Sequence, residues 1–222
     1  MGMTYATVNG LDMYYEEHGT LDGRPVVLLH GALSAIGTSF GEILPLLAKT
    51  RRVIAVELQA HGRTSDADRP LTVEGFAADV VALLDHLGVE RADFFGWSMG
   101  AGVALQLGTH HAGRVGKLVL ASVSFTADGL HPGLLDGIQE LQPEHLHGSE
   151  FHEEYLRIAA DPAGFPNLVA KCKAFDADVP EWSADEIRAI AAPTMLVLGD
   201  SDIIPPGACR RDVPAAGRRR PG

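Results

Sequence analysis

The sequence predicts an α/β fold: a mostly parallel central sheet, helices flanking it, and a small helical cap. Three observations predict it. Through the first half of the chain, apolar runs of strand length alternate with helical patterns. One serine stands between paired glycines, Gly96-Trp97-Ser98-Met99-Gly100, with a short apolar run before it and a small-residue helical stretch after it. Between Ser122 and Ala192 strand-like runs stop and helices with Pro-, Gly- and His-containing loops take over, before one more apolar run at Thr194–Gly199.

In chain order, Thr7–Tyr15 reads as a hairpin turning at Asn9-Gly10, because Asn-Gly tolerates the two positive φ angles of a two-residue turn. Val26–Leu29 reads as a strand leading into His30-Gly31-Ala32, and Arg52–Val56 as another. Val73, Phe76, Ala77, Val80, Leu83, Leu84 and Leu87 share one helical face, with Thr72 at its start and Gly88 past its end. Ala92–Phe95 reads as a strand ending at Gly96, Ala101–Leu107 as a helix, and Lys117–Ala121 as a strand. The last cap helix opens with Ser183 and Glu186 at capping-box spacing and stops before Pro193. The expected organisation is a core over residues 1–124, a cap over 125–192, a last strand with its acidic loop over 193–206, and an atypical tail over 207–222. No internal repeat or low-complexity linker interrupts it.

Composition narrows the function classes. The chain has 222 residues, 46% hydrophobic and 21% charged, which suits one globular domain with an inserted cap. A net charge of −11 argues against a nucleic-acid partner or an anionic membrane. Two cysteines, Cys172 and Cys209, make no disulfide framework. No basic-then-apolar leader opens the chain and no apolar run approaches the ~20 residues of a membrane span, so the expected location is the cytoplasm.

A serine on a tight strand-to-helix turn has its hydroxyl raised above the sheet edge, and the flanking glycines let strand and helix pass closely. This is the arrangement of a nucleophile elbow. Ser98 is the candidate nucleophile. The Met99 backbone N–H, at the helix N-terminus, points where an oxyanion would form. Trp97, beside the serine, is a candidate substrate contact and equally a candidate for packing beneath the turn.

From about Tyr5 to Pro206 the chain resembles the α/β-hydrolase family. Val26–Ala32 resembles its third strand and His-Gly loop, Gln59-Ala60-His61-Gly62-Arg63-Thr64 the loop after its fourth strand, and Asp200-Ser201-Asp202 the acid-bearing turn after its seventh. The resemblance implies a second oxyanion donor at the N–H of Ala32. It implies Asp202 as the acid, with Asp200 two residues away as the rival, and structural roles for His30 and His61. It also implies a histidine after Asp202, but all ten histidines lie at or before His152. The tail from Gly207 carries five arginines against one acid. We expect a reading-frame shift near Pro206 that truncates a longer hydrolase, with the last strand and helix missing; a genuine basic tail is the alternative.

His110 and His111 lie some three turns down the helix from Ser98, about 15 Å or more. The cap histidines His131, His145, His147 and His152 are the remaining candidates for a base. His145, His147, Glu150 and His152 lack a rigid metal-ligand spacing and read as exposed cap residues. There is no phosphate loop, and no metal or cofactor is expected. Serine at the elbow is unlike the aspartate of the family's dehalogenases and epoxide hydrolases. The expected function is serine-dependent hydrolysis of small carboxylic esters or lactones through an acyl-enzyme, impaired by the absent histidine. The alternative is a catalytically dead relative that binds a small acyl or lactone ligand. Resemblance is to the esterase, enol-lactonase and non-haem haloperoxidase group, among which fold does not choose. Phe125, Phe151, Tyr155, Phe165, Phe175 and Trp182 are candidate apolar walls. Oligomeric state leaves no trace in the sequence.

Overall fold

The computed structural model describes residues 4–20 and 22–205; Pro206, Cys209 and the arginine-rich tail lie outside the described residues. Seven strands form one sheet: β1 (Thr4–Val8), β2 (Leu11–His18), β3 (Val26–Leu29), β4 (Val53–Val56), β5 (Ala92–Trp97), β6 (Val115–Ala121) and β7 (Thr194–Val197). Their order is β1-β2-β4-β3-β5-β6-β7. β1, β2 and β4 pair antiparallel in turn, and every pair from β4 to β7 is parallel. The hairpin turns at Asn9 (φ 48°) and Gly10 (φ 80°), as Asn-Gly predicts.

The apolar residues sort by strand alternation onto two faces. On one, Val27, Leu29, Ile54, Val56 and Phe94 pack under α3 (Val73–His86) and α4 (Met99–His110), which join the cap to the core. On the other, Val26, Leu28, Val53 and Ala55 pack under α1 (Ile36–Phe40) and α2 (Leu44–Leu47). Thr72 caps α3 by accepting a hydrogen bond from the Gly75 N–H. Between β6 and β7 lie α5 (Leu134–Glu140), α6 (Glu150–Ile158), α7 (Phe165–Ala177) and α8 (Ala184–Ala189), with short 3₁₀ turns and no strand among the described residues. Ser183 and Glu186 form the capping box of α8.

Several boundaries differ from the sequence reading, and two of the differences have a backbone cause. β5 does not stop at Gly96 but runs to Trp97, because the backbone break comes at Ser98, whose φ is +52°. β6 begins at Val115, two residues earlier than its apolar run suggests, since the Ala92–Val115 pairing already belongs to the sheet. β7 is the sheet edge among the described residues. Met195, Leu196 and Val197 are 56%, 42% and 40% exposed, so neither face of that strand is packed. No helix among the described residues is long and apolar enough to cross a membrane.

Candidate active site

Ser98 sits where β5 ends and α4 begins. The two glycines of the motif are there for steric reasons. A Cβ on Gly96 would lie 2.2 Å from the Gly100 carbonyl oxygen, and one on Gly100 would lie 2.1 Å from that of Leu29. Only bare backbone allows strand, turn and helix to approach so closely, and that approach holds Ser98 in the left-handed region. The Ser98 N–H still belongs to the sheet, donating to the Ala121 carbonyl at 2.8 Å. Its own carbonyl accepts from Ala101 and Gly102 and starts the helix.

The loop after β3 lies against this turn. A Cβ on Gly31 would be 3.4 Å from that of Ser98 and 2.8 Å from the Trp97 ring. Trp97 thus underlies Gly31 and packs with the α1–α2 cluster. Two imidazoles bolt the loop in place. His30 Nδ1 bonds the Gly31 carbonyl at 2.8 Å while its Nε2 accepts from the Leu58 N–H at 3.0 Å. His61 Nδ1 bonds the Gln59 carbonyl at 2.8 Å while its Nε2 accepts from the Leu33 N–H at 3.2 Å. These backbone partners assign both rings as neutral Nδ1–H tautomers. Burial, with the neighbouring His61, pushes His30 down to about 3, and burial pushes His61 down to about 4. The rings meet at 5.0 Å between centroids. The result is a rigid loop in which Leu33 is held at φ +60°. Among the described residues, neither the Ala32 nor the Met99 N–H donates to a protein acceptor.

The loop between Glu57 and Thr64 supports the same edge. Buried Glu57 accepts from the Arg63 N–H and, at 2.7 Å, from its guanidinium. Burial raises its carboxyl to about 7 against those partners. From the cap, Cys172 reaches within 3.7 Å of His61 Nε2, and burial pushes its thiol up to about 12, which makes it inert packing. Glu154 of α6 accepts from the Thr38 N–H at 2.7 Å and ties the cap to α1. Tyr155, Phe165 and Trp182 are buried in the core that joins cap to sheet. Trp182 also donates to Gln106 Oε1 at 2.9 Å.

Asp202 is reached through a residue that the sequence does not single out. Ser122, directly after β6, donates its hydroxyl to Asp202 Oδ2 at 2.8 Å. The same oxygen accepts from the Gly199 N–H at 2.9 Å, and Oδ1 accepts from Ile204 at 3.2 Å. Asp202 is therefore turned toward the strand beside the elbow, while Asp200 is exposed. Ser122, like Ser98, has a positive φ, +57°.

None of the ten histidines hydrogen-bonds Ser98. His110 ends α4, about 18 Å along the axis from its start. His147 and His152 stack at 4.8 Å, and His152 lies on Phe165. The His131 side chain is exposed, but its N–H donates to the Ile203 carbonyl in the acid loop at 3.0 Å. Among the described residues, no group of three or more His, Cys, Asp or Glu side chains is placed to hold a metal ion.

A family model described as alpha/beta hydrolase fold matches residues 24–155. The non-heme haloperoxidase of Rhodococcus erythropolis is 28% identical over 92% of this chain and 84% of its own length. The uncharacterized hydrolase YugF of Bacillus subtilis (strain 168) is 30% identical, over 90% and 81%. The enol-lactonase from Burkholderia xenovorans LB400 superposes with a TM-score of 0.72 at 21% identity, covering 94% of this chain and 86% of that one.

Proposed function

The chain belongs to the α/β-hydrolase family, and from that premise we propose that it hydrolyses small carboxylic esters or lactones through an acyl-enzyme on Ser98. One observation carries the reading. Ser98 is held at φ +52° on the strand-to-helix turn, the Gly31 loop lies against it, and among the described residues the Met99 and Ala32 N–H groups donate to no protein acceptor, which supports their use as oxyanion donors. The relatives named haloperoxidase, hydrolase and enol-lactonase support small-molecule hydrolysis, the last of them on a lactone.

In this mechanism Ser98 Oγ adds to the carbonyl carbon, and the two N–H groups hold the oxyanion. Each such donor contributes about 3 kcal/mol to the barrier. Collapse expels the alcohol, or opens the lactone ring, and water then releases the acid from the serine. The Ser98 proton needs a base. His30 and His61 do not take it, since each ring already donates at Nδ1 and accepts at Nε2. The proton passes instead to solvent water, which returns one to the leaving alkoxide, so turnover rests on the oxyanion hole and binding and is slow. The absence of an imidazole at Ser98 favours a second reading, a non-catalytic binder of small acyl or lactone ligands.

A 4-nitrophenyl phosphonate separates the two. We expect slow, stoichiometric nitrophenolate release with the label on Ser98, accelerated by free imidazole and lost in Ser98→Ala. No labelling, with ligand binding retained, establishes the binder instead.

A further inference from the structure

Two serines with left-handed backbone stand side by side at the active edge. Trp97 pairs with Ala121, and Ala121 with Val197, so Ser98 and Ser122 each follow a registered residue on neighbouring parallel strands. Adjacent strands lie about 4.8 Å apart. Ser98 donates its N–H to Ala121, and Ser122 donates its N–H to Val197, so the ladder continues through both kinks. The strain at Ser98 has an evident use. Ser122 is not glycine, although at φ +57° glycine would sit there without penalty. What serine adds is a hydroxyl, and that hydroxyl bonds Asp202 Oδ2.

We propose that Ser122 is a positioning residue for the acid. It ties Asp202 to the strand next to the nucleophile and occupies Oδ2 together with the Gly199 N–H. Oδ1, which among the described residues accepts only the longer bond from Ile204, is left to orient an imidazole between Asp202 and Ser98. A carboxylate on an exposed loop has many rotamers; one with Oδ2 fixed from the sheet and from its own turn has few. The proposal rests on the serine-hydrolase reading of Ser98.

The test uses free imidazole as the base that the chain's own histidines do not supply at Ser98. During phosphonylation the Ser98 Oγ–P bond forms, the P–O bond to nitrophenolate breaks, and the proton passes to imidazole. The slope of rate against imidazole concentration then reports the acid's orientation, and the intercept reports Ser98 and the oxyanion hole alone. In Ser122→Gly, which relieves the backbone and deletes the hydroxyl, we expect the slope to fall about tenfold, the intercept to hold, and Tm not to drop. Ser122→Asn tolerates the left-handed region and carries an amide donor, so it should restore much of the slope. Asp202→Asn should lose the slope, and adding Ser122→Gly to it should change nothing further.

A wild-type slope in Ser122→Gly overturns the proposal, as does a parallel loss of slope, intercept and Tm. If wild-type Ser98 is not modified with or without imidazole, the hydrolase reading fails. The tie is then decided by the Asp202 carboxyl carbon in ¹³C spectra. A resonance that moves in Ser122→Gly and returns in Ser122→Asn upholds it, and one that stays put overturns it.

Discussion

The strand that ends at Ser98 and the strand that leads to Asp202 lie two positions apart in one sheet, yet they are held by different physics. β5 packs Phe94 against α3 and α4 on one face, and Phe95 and Trp97 against α1 and α2 on the other. Its turn is set by backbone contacts so close that no side chain fits. β7 is open on both faces, and its loop is held by three hydrogen bonds to Asp202, one of them from Ser122, by the His131 N–H on Ile203, and by the single buried side chain of Ile204. Close packing leaves one solution; a few polar tethers and one apolar anchor beyond an exposed strand leave several accessible ones.

The same substitution on the two sides should break the symmetry most sharply. Gly100→Ala must push apart α4 and the Leu29 carbonyl, and we expect it to cost about 4 kcal/mol or more. Gly199→Ala meets nothing closer than Asp202 Oδ2 at 3.8 Å and has no positive φ, so it should be within about 0.5 kcal/mol of wild type. Denaturant unfolding of both measures the gap, and equal losses would contradict the contrast. Among side chains, Leu29→Ala, fully buried in β3, should cost about 2–5 kcal/mol. Leu196→Ala in β7 should again stay within about 0.5 kcal/mol.

Acid sharpens the contrast from another direction, because three of the strongly shifted groups sit in the loops beside Ser98. His30 and His61 protonate near 6.5 when unfolded but only near 3 and 4 in the fold, so their contribution is complete above 6.5 and is lost on acidification toward those values. Glu57, raised to about 7, acts oppositely: its contribution is present below its unfolded value of 4.5 and disappears as pH rises through 7. Asp176 of the cap, pushed up to about 6 by burial, acts as Glu57 does, so two carboxyls nearly offset two imidazoles, and stability should change by only about 0.5 kcal/mol or less per pH unit between pH 6 and 5. In Asp176→Asn, where Glu57 alone opposes the imidazoles, it should fall by about 1.4 kcal/mol per pH unit, about one net proton. Urea midpoints across that range check both, and a flat profile in Asp176→Asn would sink the assignment of the two histidines as neutral.

Much of the structure around Ser98 was legible because its signals are local. Gly96 and Gly100 flank the serine in the chain, Thr72 marks the start of α3, and Asn9-Gly10 dictates its own turn. The acid side was legible only in part. Asp202 could be named from its place after the last apolar run, but a serine following a strand, as Ser122 does, looks like any loop serine. Its meaning comes from an aspartate 80 residues on, brought beside it by parallel pairing. The His30–His61 pair is hidden for the same reason: neither residue's neighbours announce a ring contact across 31 positions. Periodicity also placed the end of β5 too early, because it reads glycine as a break and cannot see the strain one step beyond.

The long excursion between β6 and β7 has a kinetic consequence. β5 and β6 are separated by little more than α4, whereas β7 must find β6 across the whole cap. Closing so long a loop carries an entropic cost that neighbouring strands do not face, and contacts distant in sequence form slowly. The Ser98 turn should therefore take shape while the Asp202 loop is still unplaced, so that the two halves of the candidate site mature in order. Pulse-labelled amide exchange during refolding tests this: protection at Met195 and Val197 should lag that at Phe94 and Phe95, and simultaneous protection would mean the sheet closes in one step.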